Sequence, residues 1–261
     1  MALFKHEIKR GFLALVIWTC AIAFMLGICI IIYPEMASEM TEITDMFANM
    51  GSFSDAFGLD QINFGEFIGY FGIECGNTMG LGGALFAAIL GISALSREER
   101  DKTSEFLLTH PLKRSSIVSS KLISIIAQIL ILNSVVFSVC TVSIIAIGEA
   151  EKLGTVALIF LPYIILQIEI AALTFGISAF MRKGAMAVGI GIAFGLYFMN
   201  IISKLTAELE FLRYFTPFSY TESGYITKNN SLELPLIAIG VAVTVAGIVT
   251  AYLKYTKKDI F

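Results

Sequence analysis

Two runs decide the fold: LISIIAQILILNSVVFSVCTVSIIAI, residues 122–147, and TVALIFLPYIILQIEIAALTFGISAF, residues 155–180. They are joined by Gly148-Glu149-Ala150-Glu151-Lys152-Leu153-Gly154, and the only charged side chain in either is Glu169. Apolar runs of 18 or more residues read as membrane spans, because about 20 residues of helix cross the hydrocarbon. Backbone polar groups in lipid must be satisfied within the element, so these spans are helices and the pair is a transmembrane hairpin. Four more runs flank it, at about 11–33, 67–95, 185–203 and 234–253. The first is too long for the roughly 7–15-residue apolar region of a signal peptide and reads as a span. Composition agrees: 57% of the 261 residues are hydrophobic and 15% charged, against about 25% charged in an ordinary soluble domain. The expectation is an all-α integral membrane protein, one domain over residues 1–261, with six transmembrane helices.

The segments between the runs set the orientation. With the N-terminus inside, the cytoplasmic segments hold fourteen of the eighteen Lys and Arg, and the external ones four. The positive-inside rule therefore places both termini in the cytoplasm. Residues 34–66 are then external, as are 204–233. From Glu35 to Glu66 there are seven acids and no Lys or Arg. Pro34 is expected to end the first run, with Met36, Met40, Ile43, Met46, Phe47 and Met50 marking an amphipathic helix on the membrane surface. In 204–233, Pro217 and the aromatics Phe211, Tyr214, Phe215, Phe218, Tyr220 and Tyr225 indicate short, broken helices at the outer boundary.

Several kinds of chemistry are excluded. There is no GxxxxGK[ST] phosphate loop, HExxH pair or GxSxG elbow. His6 and His110 are the only histidines. Cys20, Cys29, Cys75 and Cys140 lie in apolar runs without metal-ligand spacing and read as small apolar fillers. No basic stripe or aromatic motif points to nucleic acid. The chain has no catalytic site and no metal site that its sequence reveals.

The informative polar stretch is the cytoplasmic loop 96–121. Ser96 and Glu99 have the spacing of a capping box, so a new helix is expected to start there and to end before Pro111. Ser115 or Ser116 would cap the next span. Phe106, Leu107 and Leu108 form an apolar tip on a charged helix, which calls for a partner unless the loop is simply solvated.

This loop resembles the coupling segment in permease subunits of type-2 ATP-binding-cassette exporters. The family's acidic pair, Thr, Glu, Leu pair, Pro, basic residue and Lys correspond to Glu98 and Glu99, Thr103, Glu105, Leu107 and Leu108, Pro111, Arg114 and Lys121. Phe215-Thr216-Pro217-Phe218 resembles the family's aromatic–Pro–Phe element before the last span. An amphipathic N-terminal elbow over 1–10, six spans and a basic tail extend the likeness over the whole chain. Lys102 stands where the family usually has Gly. The resemblance implies a cytoplasmic coupling helix and two cytoplasmic ATPase subunits, which bind the ATP and Mg. It also implies a second permease copy or homologue, a location in the cell membrane, and export. The short external loop and the mostly apolar path residues favour an amphipathic or hydrophobic cargo such as a lipid, peptide or antibiotic. A non-transport scaffold, an unrecognised membrane enzyme and an ion-coupled secondary transporter are the rivals.

Three intramembrane polar residues remain. A carboxylate such as Glu169 costs about 2.5–3.5 kcal/mol at a span's centre on insertion scales. Asn133, at similar depth on the neighbouring span, is the expected partner. That pair reads either as structural glue or as part of a translocation path. Gly69, Gly72, Gly76, Gly80 and Gly83 share one face of the second span and predict a packing seam, which Gly191 and Gly195 repeat on the fifth. Glu74 points away from that seam, as a solvated boundary residue or a cargo ligand.

Overall fold

A computed structural model describes residues 2–48, 65–100, 113–181 and 185–257. It is all helical among those residues, and six helices are long and apolar enough to cross a membrane. Helix α1 is Ala2–Ala48. The second span is α2 (Phe67–Cys75), a π-helical stretch Gly76–Gly82, and α3 (Gly83–Arg100). Then come α4 (Arg114–Ala146), α5 (Leu153–Ser178) and α6 (Ala185–Ser203). Two 3-10 segments, Ala207–Phe215 and Ser219–Thr221, lead to the short α7 (Ser223–Asn229) and the last span, α8 (Leu234–Lys257).

The hairpin turn is as the sequence indicates. Gly148 takes φ 87°, a left-handed conformation that suits a residue without Cβ, and a 3-10 turn at Ala150–Lys152 leads into α5. Helix α5 is the centre of the bundle, packed on α3 along one side and on α8 along the other, while α1 lies against α4 and α6 against α3. One apolar cluster joins α1, α2, α4 and α5 through Leu26, Phe71, Met79, Val136 and Ile159. A second joins α3, α4, α5 and α8 through Leu95, Ile117, Leu166, Phe175 and Ala251. The fifth and last spans are the least enclosed. They leave Phe198, Val241, Val245 and Val249 exposed, an apolar surface suited to lipid or to a neighbouring subunit.

Helix ends differ from expectation in three places, each for a local reason. Helix α1 continues through Pro34 to Ala48, so the proline does not end the first run. Spanning helices tolerate proline because neighbours satisfy the backbone groups it frees. The Tyr70 hydroxyl donates to the Cys29 carbonyl at 3.2 Å and ties this part of α1 to α2. The N-terminal elbow is the first turns of this same helix rather than a separate element. Ser96 starts no helix: it lies within α3, and its hydroxyl donates back to the Ile92 carbonyl at 2.8 Å. Helix α4 begins at Arg114 with Lys113 at its N-cap, so Ser115 and Ser116, expected to cap it, lie inside its first turn.

Four of the five glycines expected in the seam on the second span meet close neighbours. A Cβ on Gly76 or Gly80 would meet the Tyr163 ring system at 3.5 or 3.3 Å, and one on Gly72 or Gly83 would strike Ser223 or Gln167. Gly191 and Gly195, by contrast, face open space. The fifth span instead packs through Gly189, whose Cβ would collide with Ile92 on α3.

Candidate functional site

Polar side chains on α5 organise the interior. Gln167 is fully buried and faces α3 and α4: its Oε1 accepts from Asn133 Nδ2 at 2.7 Å, and its Nε2 donates to the Met79 carbonyl at 3.4 Å. Met79 belongs to the π-helical stretch, a geometry that recurs at functional sites. Asn133 Nδ2 also donates to the Ile129 carbonyl at 2.8 Å. The expected pairing of Asn133 with Glu169 is therefore replaced by one with Gln167, and Glu169 has a different donor.

That donor is the Tyr220 hydroxyl, at 2.7 Å from Glu169 Oε2. Tyr220 reaches it because residues 207–229 fold back into the end of the bundle. Thr216 Oγ1 donates to the Leu196 carbonyl at 2.8 Å, fixing the segment to α6. Ser219 Oγ lies within bonding distance of the Arg213 and Thr216 carbonyls, at 2.7 and 2.8 Å. The Tyr163 hydroxyl donates to the Thr221 carbonyl at 3.2 Å and ties the segment to α5. The six aromatics of this region consequently divide. Phe211, Tyr214 and Phe215 stay exposed as boundary aromatics, Tyr225 is half-buried, and Phe218 and Tyr220 are buried. Burial and the Glu169 carboxylate beside it push the Tyr220 hydroxyl well above its ordinary pKa, so it remains a donor.

Glu169 is 5% exposed. Gly240 on α8 makes room for it, since a Cβ there would overlap Glu169 Oε2. Beside the carboxylate lies a cavity of about 230 Å³. Its floor is α5, its walls are α6 and α8, and its roof is the stretch Arg213–Tyr220. Gly240 is six residues into α8, so the carboxylate lies about 9 Å below that helix end. Arg213 also lines the cavity, but its Nη2 donates to both Glu233 oxygens, at 2.9 and 2.7 Å. Burial disfavours the charged guanidinium, yet the Glu233 bonds and charge, with Glu222 and Glu210 beyond, raise its pKa above the ordinary value.

The other expected site residues lie elsewhere. Glu74 is half-buried, with Cys29 Sγ 3.6 Å from its Oε2. Glu98 and Glu99 fall in the last turn of α3. Thr103, Glu105, Phe106, Leu107, Leu108 and Pro111 lie outside the described residues. Arg114 opens α4 and its Nη1 donates to the Thr256 carbonyl at 3.3 Å, joining the loop's end to α8. Lys121 is buried and paired with Glu7 of α1 at 2.8 Å. No group of three or more His, Cys, Asp or Glu arranged to hold a metal occurs among the described residues.

The model of the family described as ABC-2 family transporter protein matches residues 1–260. The chain belongs to that family. No curated protein matches the ABC-2 chain. Members of the family are permease subunits of ATP-binding-cassette transporters, membrane components without an ATPase site of their own, and they imply ATP-binding-cassette partner subunits. The six apolar helices and the family together make the ABC-2 chain a multi-pass membrane protein.

Proposed function

We propose that this ABC-2 permease subunit exports an amphipathic or hydrophobic cargo, a lipid, peptide or antibiotic, from the cell. It works as two permease copies, or one copy and a homologue, with two cytoplasmic ATPase subunits that bind the ATP and Mg. Both termini lie in the cytoplasm in this reading, which the positive charge on residues 96–121 and on the two ends supports. The observation that carries the reading is the family match over residues 1–260.

In this reading, nucleotide binding closes the ATPase pair, and the segment Glu98–Leu108, seated on it, moves with it. Glu98, Glu99 and Glu105 pair with basic groups on the ATPase, and Phe106, Leu107 and Leu108 anchor the contact. Arg114 and the Lys121–Glu7 pair pass the motion to α8 and α1, because a buried ion pair cannot part without stranding a charge. The cavity beside Glu169 serves as a cargo-contacting part of the path. The test is co-purification in detergent with the source organism's ATPase subunits, followed by mass measurement. The expected species contains two copies of each subunit and is lost when Glu98 and Glu99 are both replaced by Lys. Failure to retain any ATPase subunit while the chain stays folded would overturn the reading.

A further inference from the structure

The cavity beside Glu169 holds a carboxylate oxygen without a donor. Of the two carboxylate oxygens, Oε2 receives the Tyr220 hydroxyl, while Oε1 takes no donor among the described residues. No Lys or Arg pairs with Glu169 among those residues either. The one cation on the lining, Arg213, has its Nη2 held by both oxygens of Glu233, and its Nη1 lies 3.5 Å from Glu210. A carboxylate in a spanning helix is stable as an anion only when something cationic or strongly hydrogen-bonding meets it. Here the space for that group is present and the protein supplies only half of what the carboxylate needs.

Size and access narrow the occupant. About 230 Å³ is smaller than the roughly 300–1,000 Å³ of a pocket that encloses a drug-sized ligand. It therefore takes a head group and the first part of a chain, not a whole amphiphile. Apart from Glu169 and its hydrogen-bonding neighbours, the lining is apolar, with Leu173 on α5, Leu196 on α6, and Ile239 and Val243 on α8. Ile239 on the lining is 38% exposed, so this wall of the cavity reaches the outer surface of α8. A ligand entering across that wall could leave its tail on the apolar outer face of α8.

We propose that this cleft binds the protonated amine head of a single-chain amphiphile, a lipophilic ammonium ion, with its N–H groups on Glu169 Oε1 and its tail leaving between α6 and α8. That the bound amine is cargo rests on the permease reading; the binding itself does not. Anionic and neutral amphiphiles of equal length are disfavoured, the first by repulsion from Glu169 and the second by leaving its charge unmatched.

The test uses the full chain in phosphatidylcholine nanodiscs and measures retention of radiolabelled dodecylamine above that of empty discs, with dodecanol and dodecanoate as controls of the same chain length. The expected result is a saturable excess for the amine and none for either control. Glu169→Gln should weaken it at least about tenfold, the scale of one hydrogen bond to a charged group. Ile239→Trp keeps the carboxylate but closes the mouth, and should abolish the excess even if the Glu169 variant fails to fold. Glu208→Gln, an exposed acid at the same end of the molecule, should change nothing. Equal retention of dodecanol, or undiminished amine binding in folded Glu169→Gln, would overturn the proposal. Because no ATPase is involved, loss of the ATPase complex would leave an amine-binding result standing. A negative result beside an intact complex would reject the ammonium class alone.

Discussion

Gln167 and Glu169 stand two residues apart on α5 and have opposite surroundings. At 100° per residue they point about 200° apart, so one faces α3 and α4 and the other faces α8 and the cavity. The Gln167 side is closed. Its amide is bonded at both ends, and glycines of the second span bring the backbones together around Tyr163 and Gln167. The Glu169 side is also close-packed, with Gly240 against the carboxylate and Gly247 against the Ala172 backbone, but it leaves a gap and one unmatched carboxylate oxygen. One face of the central helix holds the bundle together. The other has the space and charge to meet a ligand.

The largest effect that separates the faces comes from overfilling the closed one. A Cβ on Gly91 meets the Ala171 carbonyl, which is backbone and has little room to yield. Gly91→Leu should cost about 3 kcal/mol or more and abolish recovery of monodisperse protein in detergent. The same change at Gly191, which faces open space, should leave recovery unaltered. Next is Gln167→Leu, which removes the bonds to Asn133 and Met79. Unfolding in SDS should show a loss of about 1–2 kcal/mol, near the top of the range for hydrogen bonds inside membrane proteins, with dodecylamine retention unchanged. Tyr220→Phe on the open face should cost only about 0.6 kcal/mol by the same titration, yet alter amine retention, because it strips Glu169 of its donor. The smallest effect belongs to Glu222→Gln. It breaks a partly exposed pair with Lys204 and should shift stability by about 0–1 kcal/mol, with retention untouched.

The spans were legible because each is a long apolar run bounded by charge, and lipid leaves the backbone no alternative to helix. The glycine seam was legible for a similar reason: spacing along one helix fixes one face. What could not be read was which face meets which neighbour. Asn133 was matched to Glu169 by depth alone, and two residues of helix amount to only about 3 Å of depth but more than half a turn. The Gly176 and Gly247 contact between α5 and α8 was missed because it needs the relative rotation of helices far apart in sequence. Its position in an aromatic-rich external segment puts Tyr220 among the boundary aromatics. Its sequence carried no mark that Thr216 and Ser219 would fold it inward onto a carboxylate. Pro34 and Ser96 carry ordinary stop and start signals, yet each sits inside a helix that is already running, so neither marks a helix end.

The most direct test of the division between the faces is ATP hydrolysis by the permease–ATPase complex in lipid, measured as the increase that dodecylamine produces at sub-micellar concentration. The native complex and Gln167→Leu should be stimulated alike, while Glu169→Gln should assemble normally and lose the stimulation. Equal stimulation of Glu169→Gln and the native complex would contradict it, and would make the carboxylate a packing element like the glutamine two residues before it.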